Sequence, residues 1–157
     1  MTPRPNLPAL TDLACRLADA AGAAALPHFR SRQLGAENKR DDGAFDPVTV
    51  ADHAAETAIR AILAEARPED GIFGEEAGQS TGTSGLTWVI DPIDGTRAFI
   101  SGVPTWGILI ALDDGMTGRI GIVDQPHIGE RFVGVNAPQG RHAELQFRGR
   151  APHECSL

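Results

Sequence analysis

Apolar residues recur at helical spacing in two N-terminal stretches and at strand-like spacing through most of the remainder, and this change of period organises the chain. Leu13, Leu17, Ala20 and Ala24 predict a first helix, capped by Thr11 and running to about Phe29. Ala55, Ile59, Ile62 and Leu63 predict a second, capped by Thr49, running to about Glu65 and ended by Pro68. Between them residues 31–46 are polar and carry Gly35, Asn38, Asp42 and Gly43, the pattern of a loop or mobile hairpin. Gly71-Ile72-Phe73-Gly74 reads as a short buried strand, and the Gly, Ser and Thr of residues 77–85 as a flexible loop. Residues 87–90 form another strand, and residues 95–101 a helical segment closed by Gly102. Beyond Pro104, residues 106–112, 119–124, 130–135 and 143–147 make an antiparallel meander. The fold class predicted is α+β, with two N-terminal helices packed on a mostly antiparallel sheet.

A chain of 157 residues with 41% hydrophobic and 22% charged content fits one globular domain with a sizeable core. No apolar stretch approaches the length that spans a bilayer, and Met1-Thr2-Pro3-Arg4-Pro5 lacks the apolar core of a signal peptide. A cytoplasmic protein without a membrane partner is expected. Cys15, inside a helical pattern, and Cys155, near the C-terminus, have neither disulfide nor metal spacing and read as free thiols. The net charge of −7, with no basic stripe, argues against a nucleic-acid partner. It is compatible with an enzyme that uses a cation.

The chemistry concentrates in Trp88-Val89-Ile90-Asp91-Pro92-Ile93-Asp94-Gly95-Thr96. An apolar strand ends in two carboxylates three residues apart, followed at once by Gly-Thr and a helix start. The pattern holds a divalent cation and a phosphate side by side, because a helix start offers unbonded N–H groups. Pro92 stiffens the turn, and Gly95 lets the backbone approach an anion. Asp52 and Glu75 stand at the ends of other elements, so four acids converge that would repel one another without metal. Each also has a plainer role. Asp94 can cap the short helix, Asp52 can serve the dipole of the second, and Glu75-Glu76 can be a solvated turn. Thr49 can be only an N-cap, and Thr96 an ordinary first-turn hydroxyl. The haloacid-dehalogenase signature Asp-x-Asp-Gly-Thr is excluded, because Pro92 stands where its nucleophilic carboxylate belongs.

The run Trp-Val-Ile-Asp-Pro-Ile-Asp-Gly-Thr, preceded by Gly74-Glu75-Glu76 and by Asp46-Pro47-Val48-Thr49-Val50-Ala51-Asp52, resembles the Mg²⁺-dependent, Li⁺-sensitive inositol monophosphatase family. The continuation from Arg97 to Gly107 is more similar to the histidinol-phosphate phosphatase branch than to the inositol branch. The resemblance implies hydrolysis of a small phosphate monoester, histidinol phosphate first, with inositol-1-phosphate or a broader range of sugar phosphates as alternatives. It also implies Mg²⁺ and a homodimer.

Carried over residue by residue, the resemblance implies that Glu75, Asp91 and the carbonyl of Ile93 hold a first Mg²⁺. Asp91 and Asp94 hold a second, and the N–H groups of Gly95 and Thr96 bind phosphate. The Thr96 hydroxyl, oriented by Asp52, positions and deprotonates the attacking water. Glu76 supports the ligands, and Lys39 approaches the phosphate or a further metal.

The family's second half carries a Trp-Asp-x-Ala motif, and no such motif follows Phe147 here. The expected organisation is therefore a flexible N-terminus over residues 1–9, a metal-binding N-terminal domain over 10–147, and an atypical tail over 148–157 with the C-terminal domain absent. Such a half-enzyme is expected to bind its second metal weakly, to select substrates poorly and to leave a sheet face or edge exposed. A non-catalytic remnant that binds Mg²⁺ weakly is the competing expectation.

Overall fold

The computed structural model describes residues 6–32, 36–38, 47–147 and 153–154. Helix α1 spans Leu7–Ala25 and is followed by a 3-10 turn, Leu26–His28. Strands β1 (Ala36–Asn38) and β2 (Pro47–Thr49) pair antiparallel, as the arms of a hairpin would. Helix α2 covers Val50–Ala66. The remaining elements are β3 (Gly71–Gly74), β4 (Gly78–Ser80), β5 (Thr87–Asp94), the short α3 (Thr96–Ile100), β6 (Gly107–Asp113), β7 (Gly118–Gln125), β8 (Glu130–Ala137), β9 (Gly140–Phe147) and β10 (His153–Glu154). The sheet order is β10-β9-β8-β7-β6-β5-β3-β4, and among the described residues only β3 and β5 pair in parallel. The predicted meander is β6 to β9. No described helix is long and apolar enough to cross a membrane.

The first helix begins four residues before the predicted cap. Asn6 is the N-cap, accepting from the Ala9 N–H at 3.4 Å, and Pro8 lies in the first turn, where a missing donor costs nothing. Thr11 instead donates its hydroxyl to the Leu7 carbonyl at 2.8 Å, so residues 7–9 are helical rather than loose. The helix stops early because Pro27 cannot supply the next α-helical N–H. The Gly/Ser/Thr-rich loop is corrected too: Gly78–Ser80 turns back as an edge strand on β3.

Both long helices pack on one face of the sheet. Leu10, Leu13 and Leu17 of α1 and Ile59 and Leu63 of α2 join Trp88, Ile90, Ile108, Ile110 and Ile122 in one core. Alternation along β5 sends Trp88 and Ile90 into that core and Val89 and Asp91 to the opposite face. That second face carries Phe73, Val89, Val123 and Phe132, all at least 40% exposed, so among the described residues it has no helical cover. The exposed sheet face expected from the sequence is present.

Candidate active site

The parallel register pairs Gly74 of β3 with Ile90 of β5. The next residue on each strand is Glu75 and Asp91, so two acids far apart in sequence emerge side by side at the carboxyl ends of parallel strands. Ligands bind there in open α/β sheets. Both line a concavity of ≈ 1000 Å³ on the open face, bordered by Phe73, Val89 and Leu109. The carboxylates do not follow the strand, as the sequence suggested, but lie within it, and a bulge between Asp91 and Asp94 re-aims the chain.

Asp91 is held in an unfavourable environment. Its pKa is raised from 3.8 to about 7, by burial first and then by the negative charges of Glu75 and Asp94. Its Oδ1 is buried without a hydrogen-bond partner. Among the described residues no three His, Cys, Asp or Glu side chains already form a metal cage. The donor chemistry nevertheless fits a hard divalent cation: the charges of Glu75 and Asp94 oppose that of Asp91, and one Asp91 oxygen is buried without a partner.

The other predicted residues form a second chain of contacts. The Thr49 N–H and hydroxyl both donate to Asp52 Oδ2, at 2.8 and 2.6 Å, and the Ala51 N–H donates to the Thr49 hydroxyl at 3.1 Å. Thr49 is thus the cap of α2 and also the clamp on Asp52, which is 1% exposed. The other oxygen, Asp52 Oδ1, lies 3.5 Å from the Thr96 hydroxyl, whose single hydrogen can go to it or to the Ile93 carbonyl at 3.0 Å. Thr49, Asp52, Ile93 and Thr96 therefore meet across a sequence separation of more than forty residues. Lys39 lies outside the described residues. The Glu76 side chain is half-buried beside Glu75.

Asp94 is not a helix cap. That position belongs to Gly95, whose φ of 84° and ψ of 38° are left-handed, and whose Cβ, if present, would sit 3.0 Å from the Thr105 carbonyl oxygen. The turn leaves the Thr96 N–H ahead of the first intrahelical bond, Phe99 N–H to the Gly95 carbonyl at 3.0 Å. Beneath α3, Phe99 packs edge-on against Trp106 and tilted against Phe29, with ring centroids 4.8 and 5.3 Å apart. Arg30, at φ 61°, donates to the Gly102 carbonyl at 3.0 Å and fixes the far end of the same turn.

Sequence reasoning missed Glu56. It is buried on α2 and accepts the N–H groups of Glu76 and Ala77. Its spacing of four from Asp52 and from Arg60 was the available signal, since residues so spaced share a helix face.

Asp91 gives the metal-free protein a defined pH response. A pKa raised on folding means that the native state holds a proton the unfolded state has lost, so stability falls as pH rises from about 4 to about 7. The unfolding temperature of the metal-free protein should decline from about pH 4 to about pH 7, and millimolar Mg²⁺ should raise it more at the upper end. Differential scanning calorimetry with EDTA or Mg²⁺ measures both.

Among the described residues the chain is an α+β domain in which Glu75 and Asp91 stand together after a parallel strand pair, beside a left-handed glycine turn. The chain belongs to the inositol monophosphatase family, whose family model matches residues 6–154. Within the family its sequence lies with the histidinol-phosphatase-like branch. It is 40% identical over 145 residues to the histidinol-phosphatase of Mycobacterium tuberculosis, covering 92% of this chain and 54% of that protein. Against the histidinol-phosphatase of Streptomyces coelicolor it is 46% identical, over 78% of this chain and 46% of the relative. An inositol monophosphatase structure from Zymomonas mobilis superposes with a TM-score of 0.66 at 42% identity, over 94% of this chain and 53% of that one. The chain spans about half the length of the curated relatives it matches.

Proposed function

We propose that this chain supplies the metal- and phosphate-binding residues for Mg²⁺-dependent hydrolysis of a small phosphate monoester in the cytoplasm, with histidinol phosphate the preferred substrate. The observation that carries the proposal is the placement of Glu75 and Asp91 side by side after the parallel register of β3 and β5, with Asp91 Oδ1 buried without a partner. Glu75, Asp91, Asp94 and the Ile93 carbonyl would hold the cation, which supplies charge neutralisation for the phosphoryl group and acidifies bound water. The N–H groups of Gly95 and Thr96 orient the phosphate. Asp52, held through Oδ2 by Thr49, would take a proton passed through the Thr96 hydroxyl, which lies 3.5 Å from its Oδ1. The attacking group is water, and the protein's part is positioning and electrostatics. The substrate choice rests on the two histidinol-phosphatases at 40% and 46% identity.

The test is phosphate release by the purified chain from histidinol phosphate and inositol-1-phosphate, with Mg²⁺ or with EDTA. Mg²⁺-dependent release favouring histidinol phosphate is expected. Preference for inositol phosphate would move the chain to the other branch, and no release from a folded chain would favour the metal-binding, non-catalytic reading.

Asp94→Asn separates a ligand from a structural residue. Activity should drop about 10²–10³-fold, the scale of a lost charge-stabilising group, with the circular dichroism spectrum unchanged. Unaltered turnover in the variant would remove Asp94 from the site.

A further inference from the structure

Glu56 is a buried carboxylate with no part in the chemistry above. It is 1% exposed and stands one helical turn after Asp52 on α2. Its Oε2 accepts the Glu76 N–H at 2.8 Å; its Oε1 accepts the Ala77 N–H at 3.1 Å and the Arg60 Nε–H at 2.7 Å. Arg60 reaches on to the Gly78 carbonyl. The carboxylate lies so close to the backbone before the turn that a Cβ on Gly74 would fall 2.1 Å from Oε1. The Glu76 and Ala77 N–H groups belong to the segment that follows β3, so the turn carrying Glu75 is seated on a side chain of α2 and not only on the sheet.

We infer that Glu56 is a positioning residue for the cation site: its carboxylate holds the Glu75–Glu76 peptide and thereby sets the Glu75 carboxylate beside Asp91. The inference rests on the reading that Glu75 and Asp91 hold the cation. One helix then orients both halves of the site, with Asp52 placing the Thr96 hydroxyl and Glu56 placing the Glu75 turn. The physical requirement is an acceptor with two oxygens. Gln offers one, and its NH₂ would face a backbone or guanidinium N–H as donor against donor. Groups that support metal ligands in this way typically change metal affinity 10- to 100-fold when removed.

Asp70 supplies the control. It is a second buried carboxylate, at the opposite end of β3, accepting from Arg67 and from the Trp88 indole N–H at 2.9 Å. It braces the fold without touching the Glu75 turn.

The experiment titrates Mn²⁺ against the purified chain by electron paramagnetic resonance, alongside thermal unfolding. The proteins compared are the unmodified chain, Glu56→Gln, Glu56→Ala, Asp70→Asn and Asp91→Asn. Mn²⁺ affinity about 10-fold weaker in Glu56→Gln and about 10- to 100-fold weaker in Glu56→Ala is expected. Asp70→Asn should lose stability with its Mn²⁺ affinity retained. Wild-type affinity in a folded Glu56→Gln overturns the inference, and so does a loss in Asp70→Asn equal to that in the Glu56 variants. If Glu56→Ala does not fold, Glu56→Gln decides. Asp91→Asn tests the underlying reading on its own: Mn²⁺ binding unchanged by it would remove the cation site and the role of Glu56 together.

Discussion

Asp91→Asn should make the metal-free protein more stable above about pH 7 while abolishing its stabilisation by Mg²⁺ and lowering phosphate release about 10³-fold. The two effects have one cause. The carboxylate sits where burial, Glu75 and Asp94 all oppose its charge, raising its pKa to about 7. Asparagine keeps the shape and removes the charge, so the decline in stability between about pH 4 and about pH 7 should flatten. A bound cation is worth several kcal/mol of transition-state charge stabilisation, and each factor of ten in rate is about 1.4 kcal/mol, hence the expected loss. Calorimetry at two pH values and a phosphate-release assay measure the pair. A variant destabilised at every pH and still responsive to Mg²⁺ would show that Asp91 is a structural acid.

Trp88→Ala is expected to unfold the chain or leave it barely folded at 25 °C. The indole is fully buried, at 0% exposure, in the core between helices and sheet, and its Nε1–H donates to Asp70 Oδ2 at 2.9 Å. Truncating a large buried aromatic costs about 3–5 kcal/mol, and leaving Asp70 short of a buried partner adds about 1–3 kcal/mol. A domain of this length has roughly 8–24 kcal/mol in total, and the uncovered face with Phe73, Val89, Val123 and Phe132 argues for the low end. Trp88→Phe retains most of the burial and should lose only about 1–3 kcal/mol, chiefly through Asp70. Urea unfolding followed by circular dichroism gives both values. Equal losses in the two variants would show that the hydrogen bond, not the volume, dominates.

The candidate site was legible in the sequence to the extent that its residues sit next to one another in the chain. Asp91, Asp94, Gly95 and Thr96 lie in one run, and the Thr49–Asp52 capping box is a local pattern with a local cause. The boundaries that went astray did so where competing local signals were close in strength. Asn6 with Pro8 outcompeted Thr11 as a helix start, and Gly78–Ser80 became a strand because β3 offered it an edge.

By itself the sequence determined the α+β class, the helix α2 cap, the meander and the run of candidate site residues from Asp91 to Thr96. Each is encoded in spacing within about one element. No local period relates Glu75 to Asp91 or Thr96 to Asp52; the family resemblance alone implied those pairings, and the tertiary structure supplies their cause, the parallel pairing of β3 with β5 and the docking of α2 beside Thr96, 44 residues from Asp52. The tertiary structure alone decided that Glu56 meets the Glu76 and Ala77 N–H groups. The reason is physical: a buried carboxylate is stable only where donors from distant segments converge on it, and that convergence exists only once the helices have docked on the sheet.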